Sequence, residues 1–255
     1  MQETAVFRGV GVALLTIFED NGDLAVGATA ELAARLVDLG VTAVIVAGTT
    51  GEAAALDLDE RGALLAAVRA AVGNAPVIAG TGAPSARQAV RYTAQARDHG
   101  ADAVLVLSPP GAATDLRTYY EQVAAAAGGL PVLAYHFPQV SMPGIPVPAL
   151  DGLPVSGLKD SSGDPGRLLE TRRTWPLPLY VGSSALVGMA GDIGCAGAIL
   201  GLANAEPELC VDAFAGEPGA QLKLAGPRKA EERFPGGIKE LVRARFGYPA
   251  TCRVS

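Results

Sequence analysis

A single rhythm constrains this chain more than any motif: a short β-branched run, then an Ala/Leu/Arg stretch with apolar residues at helical spacing, repeated along most of its length. Such alternation builds parallel strands joined by crossover helices. The strand candidates are Val10 to Leu15, Thr42 to Val46, Pro76 to Ala79, Ala103 to Leu107, Pro131 to Tyr135, Val155 to Leu158, Leu179 to Val181 and Ala198 to Leu200. Between them, Ala28 to Leu39, Asp59 to Val72, Ser85 to His99 and Asp115 to Ala127 place apolar residues on one helical face and Arg or Glu on the other. Asp59 and Ser85 are expected as N-caps, and Gly40, Gly73 and Gly100 as the residues that follow helix ends. Pro138, Pro143, Pro146 and Pro148 interrupt the fifth unit and permit only a short helix near Val147 to Leu150.

Eight strands in 255 residues fit the α/β class and a closed (β/α)₈ TIM barrel. The barrel, as catalytic domain, is expected over residues 1–202. A helical extension over 203–255, with segments Pro207 to Phe214, Ala220 to Leu224 and Ile238 to Phe246, is expected to pack on it. The competing doubly wound sheet calls for a GxGxxG turn after its first strand. Gly9-Val10-Gly11-Val12-Ala13-Leu14 lacks the third glycine and precedes a strand instead.

With 49% hydrophobic and 18% charged residues the chain has ample material for a large core. A net charge of −6 without any Lys/Arg cluster argues against a nucleic-acid partner and for a small molecule. Met1 to Val10 carries Glu3 and no basic segment leading into an apolar run, so no secretory signal is expected. The longest apolar region, Ala185 to Ala205, is broken by Asp192 and dense in glycine, which is poor for a membrane span. A cytoplasmic location follows as the expectation. Cys195, Cys210 and Cys252 show neither CxxC nor Cys/His spacing, and are expected to be buried or inert. His99, just before Gly100, suits a helix C-cap. Neither a metal nor a cofactor is expected.

In a barrel of this kind chemistry gathers at the carboxyl ends of the strands. Four stretches qualify: Gly48-Thr49-Thr50-Gly51-Glu52, Tyr135-His136, Lys159-Asp160-Ser161-Ser162 and Gly182-Ser183-Ser184. Lys159 stands out because the other lysines, Lys223, Lys229 and Lys239, all lie in the C-terminal region. An ammonium at the mouth of an apolar barrel loses hydration, which favours the neutral amine, and that form attacks a ketone. The protonated imine is an electron sink for making or breaking a C–C bond, or for losing water. Position alone leaves a second reading equally open, a Lys159–Asp160 ion pair in a solvated loop. Tyr135 offers a phenol for proton transfer, against a role in rim packing. The Gly48 to Gly51 turn offers backbone N–H groups and two hydroxyls to a 2-oxo acid carboxylate. Gly182 and Ser183 either line a pocket or cap the helix that follows.

These residues carry a resemblance. The chain is similar to the dihydrodipicolinate synthase and N-acetylneuraminate lyase family of class I aldolases along nearly its whole length. The matching stretches are Gly48-Thr49-Thr50-Gly51-Glu52, Pro76 to Gly82, Gly100 to Val104, Tyr135 with Pro138, Gly157 to Asp164, and Gly197-Ala198-Ile199 followed by Asn204. The resemblance implies a Schiff-base lysine at Lys159, a proton-relay phenol at Tyr135, and threonines at Thr49 and Thr50 that meet the pyruvoyl carboxylate and the relay. It also implies a pocket-lining backbone at Ile199 and a homo-oligomer, tetramer or dimer.

Departures from the family pattern narrow the substrate. Dihydrodipicolinate synthases proper carry an arginine two residues after the proline of the tyrosine motif; here that position is Val140, which has no bidentate fork for a carboxylate. Their tyrosine pair after the fourth strand is replaced by Ser108-Pro109-Pro110-Gly111, with Tyr119 and Tyr120 further along in a helix. His136 stands where relatives commonly have asparagine, as a titratable group or as filler. The expected function is therefore a carbon–carbon lyase acting on pyruvate or a 2-keto-3-deoxy acid. A hydro-lyase on a 2-keto-3-deoxy sugar acid, dihydrodipicolinate synthase proper and a non-catalytic 2-oxo-acid-binding paralogue remain as alternatives. A released aldehyde, loss of water alone, or binding without turnover separates the first, second and last of these.

Overall fold

The computed structural model describes residues 4–111 and 115–254, so the readings that rested on Met1 to Glu3 lie outside the described residues. Eight parallel strands close into a barrel in sequence order: β1 (Gly9–Ala13), β2 (Ala43–Val46), β3 (Val77–Gly80), β4 (Ala103–Leu107), β5 (Val132–His136), β6 (Gly157–Asp160), β7 (Leu179–Val181) and β8 (Gly197–Leu200). Pairing of β1 with β8, from Gly9↔Gly197 to Val12↔Leu200, seals the cylinder. The helices are α1 (Val26–Asp38), α2 (Leu58–Ala71), α3 (Ala86–Asp98), α4 (Leu116–Ala127), α5 (Pro165–Thr174), α6 (Val187–Asp192), α7 (Pro207–Ala215), α8 (Ala220–Leu224) and α9 (Gly236–Phe246). This is the expected TIM barrel with C-terminal helices. Between β5 and β6 only a 3₁₀ turn, Val147–Gly152, replaces the helix, as the prolines there require. α7 packs on α6 and β1, while α9 packs on a further 3₁₀ segment, Pro227–Arg233.

Two expectations need correction. Asp57, not Asp59, caps α2: its side chain accepts from Glu60 N at 2.8 Å while Glu60 Oε2 accepts from Asp57 N at 3.1 Å, a reciprocal box that leaves Asp59 in the first turn. Strand β6 starts at Gly157 and runs through Asp160 rather than ending at Leu158. It does so because its register with β5 continues to His136↔Asp160 and with β7 to Asp160↔Val181, so both neighbours hold Lys159 and Asp160 in the ladder. Lys159 is therefore a strand residue and not part of a loop.

Strand alternation sends successive side chains to opposite faces and makes two separate cores. Ile45, Ile78, Leu105, Leu133, Tyr180 and Ile199 fill the barrel interior together with Phe7, whose ring stacks on Tyr180 at 4.6 Å between centroids. Val10, Val44, Val104, Leu158 and Leu179 face outward against the helices. On β6 Leu158 is an outer residue, so Lys159 points in and Asp160 points out.

Candidate active site

That alternation separates Lys159 from Asp160 and rules out an ion pair between them. The side chain is buried inside the barrel, with the residue 5% exposed, and it makes no ion pair or hydrogen bond among the described residues. Asp160, on the opposite face, pairs instead with Arg167, Nε to Oδ2 at 2.8 Å, and accepts from Ser162 N on Oδ1 at 2.8 Å. The neighbouring strand brings Tyr135 into register with Lys159, and the lysine Nζ stands 4.3 Å from the centre of the Tyr135 ring. An amine without a counter-ion, in a low-dielectric setting beside a phenol, is the arrangement a nucleophile requires.

The turn after β2 leaves donors for an anion. Within it, Gly51 N and Ala53 N donate to Gly48 O, and Glu52 N donates to Thr49 O. The amides and hydroxyls of Thr49 and Thr50 make no hydrogen bond among the described residues, and both threonines line the cavity that holds Lys159. Thr49 and Thr50 thus face the cavity, while Gly48 and Gly51 shape the turn without lining it. Gly51 in particular has no room for a side chain: a Cβ there would stand 2.8 Å from Leu14 O.

Gly182, after β7, has a role that its sequence context did not reveal. A Cβ at this position would overlap Ser161 Oγ and stand 2.9 Å from Lys159 Cε. Gly182→Ala is therefore expected to displace the Lys159 side chain and to slow any imine formation there with pyruvate by roughly 10²-fold, as misplacement by about 1 Å does elsewhere. Rapid-quench borohydride trapping measures this, and a rate within threefold of the parent would contradict it.

The cavity encloses about 270 Å³ and is lined by Thr49, Thr50, Tyr135, Lys159, Gly182, Ser183 and Ile199 from the expected set. Ser161, Phe137, Val140, Gly201, Glu231, Phe234 and Ile238 complete it. Among the described residues Lys159 is its sole basic lining residue. Arg167 is tied back by Asp160 and by Ile145 O, to which its Nη2 donates at 2.7 Å, and Arg117 pairs with Glu121 on the exposed face of α4. Arg61 lines the adjoining cavity that shares Thr49, Val140 and Phe234, but its guanidinium donates to Gly80 O and Ala53 O and lies over the Tyr92 ring. No group of three or more His, Cys, Asp or Glu among the described residues suits a metal, and no described helix is long and apolar enough to cross a membrane.

His136 does not join the site. It follows Tyr135 on β5, so alternation turns it outward, where its Nδ1 accepts from Ile145 N at 2.8 Å. Burial disfavours its charged form, the Arg167 guanidinium adds to this and Asp160 opposes it, leaving a pKa of about 4 against an ordinary 6.5. The unfolded chain takes up this proton first, so stability present above pH 6.5 is lost as the pH falls toward about 4. His136→Gln, which keeps an acceptor for Ile145 N, is expected to flatten the fall in urea midpoint between pH 7 and pH 4.5. An unchanged slope would remove His136 from the account.

Comparison with known proteins decides the family. The model of the dihydrodipicolinate synthetase family matches residues 6–224. The chain belongs to that family. It is 37% identical over 216 residues to an uncharacterized DapA-like lyase of Halobacterium salinarum, covering 81% of this chain and 71% of the relative. A probable mitochondrial 4-hydroxy-2-oxoglutarate aldolase of Emericella nidulans is 35% identical over 229 residues, 83% and 74% of the two chains. Among solved structures, the prophage protein YagE of the dihydrodipicolinic acid synthase family from E. coli K12, in complex with pyruvate, superposes with a TM-score of 0.89 at 25% identity, covering 97% of this chain and 92% of that one. The protein is thus a lyase of the aldolase type, as dihydrodipicolinate synthetase family members are.

In this family member the strand ends were readable in advance and the far wall was not. Glu231, Phe234 and Ile238 come from the Pro227–Arg233 segment, the turn after it and α9. The run Arg228-Lys229-Ala230-Glu231-Glu232-Arg233 looks like a solvated charged face in the sequence, and nothing local marks Glu231 as the residue that turns inward.

Proposed function

We propose that the protein cleaves and forms C–C bonds of 2-oxo acids through an imine on Lys159, with pyruvate or a 2-keto-3-deoxy acid as substrate. The single observation that carries this is the Lys159 amine, buried without a counter-ion in the same cavity as the Tyr135 phenol and the unbonded amides and hydroxyls of Thr49 and Thr50. The threonines hold the carboxylate, and the amine adds to the adjacent carbonyl with loss of water. The Tyr135 phenol gives its proton to that departing water; the iminium then takes the electron pair of the C3–C4 bond while the resulting phenolate receives the proton of the C4 hydroxyl and an aldehyde leaves. Protonation of the enamine at C3 and hydrolysis release pyruvate and restore the amine. Val140, and the absence of any other cation lining the cavity among the described residues, disfavour condensation with an acidic second substrate.

Incubation with pyruvate and borohydride tests the reading: Lys159 should gain one pyruvate less a water plus two hydrogens, located by peptide mass analysis. Absence of an adduct with any short 2-oxo acid sinks it. A released aldehyde distinguishes the aldolase from a hydro-lyase. A cytoplasmic homo-oligomer, tetramer or dimer, completes the proposal, supported by the exposed apolar Val140, Met142 and Phe234. Sedimentation equilibrium checks the assembly.

A further inference from the structure

The catalytic strands build only part of the cavity, and the C-terminal segment adds a carboxyl to it. Glu231 lines the same space as Lys159, Ser161 and Ser183. Its position is fixed from behind: Ser184 Oγ donates to Glu231 Oε2 at 2.6 Å, and the carbonyl of Ser184, itself fully buried, accepts from Gln221 Nε2 at 3.0 Å. The other oxygen, Oε1, has no partner among the described residues, and Glu231 forms no ion pair there. Burial holds the carboxyl above the ordinary carboxylate range, with the Ser184 hydroxyl and the Arg228 charge pulling the other way. A fixed, partly desolvated acid without a counter-ion is costly to keep, and a ligand hydroxyl is the kind of group that satisfies it.

Space and lining agree with that. At roughly 30 Å³ for each water-sized group, about 270 Å³ admits about nine, more than pyruvate fills. Besides the strand-end residues the lining includes Phe137, Val140 and Phe234, the hydroxyl-bearing Ser161 and Ser183, and Glu231. Lys159, the one basic lining residue among those described, is consumed by the imine, so an anionic tail meets an acid and no cation.

We propose that Glu231 is the specificity-determining residue for the far end of the substrate, accepting hydrogen bonds from an uncharged, hydroxyl-bearing tail and turning away tails that end in a carboxylate. This rests on the imine reading above and extends it to the choice of partner. It assigns Glu231 no step in bond making. Like charge in a desolvated pocket repels strongly, whereas a hydroxyl provides both a donor for the carboxylate and an acceptor for the acid.

Borohydride trapping tests the inference without knowledge of the natural aldehyde. Three probes are used: pyruvate as reference, a 2-oxo-3-deoxyhexonate with an uncharged polyol tail, and 2-oxoglutarate with an anionic one. Each rate of adduct formation is divided by the same protein's pyruvate rate. In the parent the uncharged tail should exceed 2-oxoglutarate by at least tenfold, and in Glu231→Gln that ratio should fall at least threefold. Glutamine retains an oxygen for the Ser184 hydroxyl and the volume of the native side chain. A smaller parental ratio, or a smaller fall in the variant, overturns the role of Glu231 while the pyruvate adduct still stands. Failure of the parent to form any adduct with pyruvate is a different result and removes the imine reading as well.

Discussion

Lys159→Met is expected to abolish turnover and to raise the melting temperature together. The proposed nucleophile is gone, so cleavage should fall by roughly 10⁴-fold or more, the scale seen when a covalent catalyst is removed. Stability should move the other way. Lys159 is 5% exposed and has no ion-pair or hydrogen-bond partner among the described residues, so the fold carries the desolvation of an amine and recovers little for it. Methionine fills similar space without charge. A gain of about 1–2 kcal/mol corresponds to roughly 2–8 °C for a chain of this size. Circular dichroism melting beside a pyruvate-release assay measures both effects, and a variant that melts below the parent contradicts the second.

Lys239→Met should do the opposite to stability. Lys239 Nζ lies 2.5 Å from Glu52 Oε1 with both side chains fully buried, and it also donates to Thr251 O at 2.5 Å. The other Glu52 oxygen accepts from Arg253 N at 2.7 Å and Val254 N at 2.8 Å. Removing the ammonium strands a buried carboxylate, a loss of about 3–5 kcal/mol and roughly 6–20 °C in melting temperature. Glu52 holds a left-handed backbone, φ 55°, directly after Thr49-Thr50-Gly51, so the carboxylate cradle should loosen too, with imine formation slowed about tenfold. The double variant Glu52→Gln with Lys239→Met leaves neither charge unpaired and should regain part of the lost stability. If Lys239→Met alone melts within about 2 °C of the parent, the pair does not hold the turn.

How far the sequence carried these conclusions depends on where each residue gets its neighbours. That Lys159, Tyr135, Thr49 and Thr50 meet in one cavity was legible because a barrel puts strand ends at one mouth, and short β-branched runs mark the strands. The end of β6 was misplaced because Lys and Asp weaken a strand pattern, while hydrogen bonds from β5 and β7 hold them in place regardless of propensity. His136 was recoverable: period-two alternation from Tyr135 already turns it away. Glu231 was not, since its inward turn depends on a hydroxyl at Ser184 more than forty positions earlier, and a charged run carries no sign of which member is enclosed.

The two walls of the cavity therefore have separate origins, and they can diverge separately. Substitution in the Pro227–Arg233 segment changes what the far end of a ligand meets without touching the strand residues beside the reacting carbon. Selection for a new diet of substrates has an inexpensive path here: a few surface-like positions drift while the carbon chemistry stays under constraint. Engineers have the same path, and libraries confined to Glu231, Phe234 and Ile238 sample it directly.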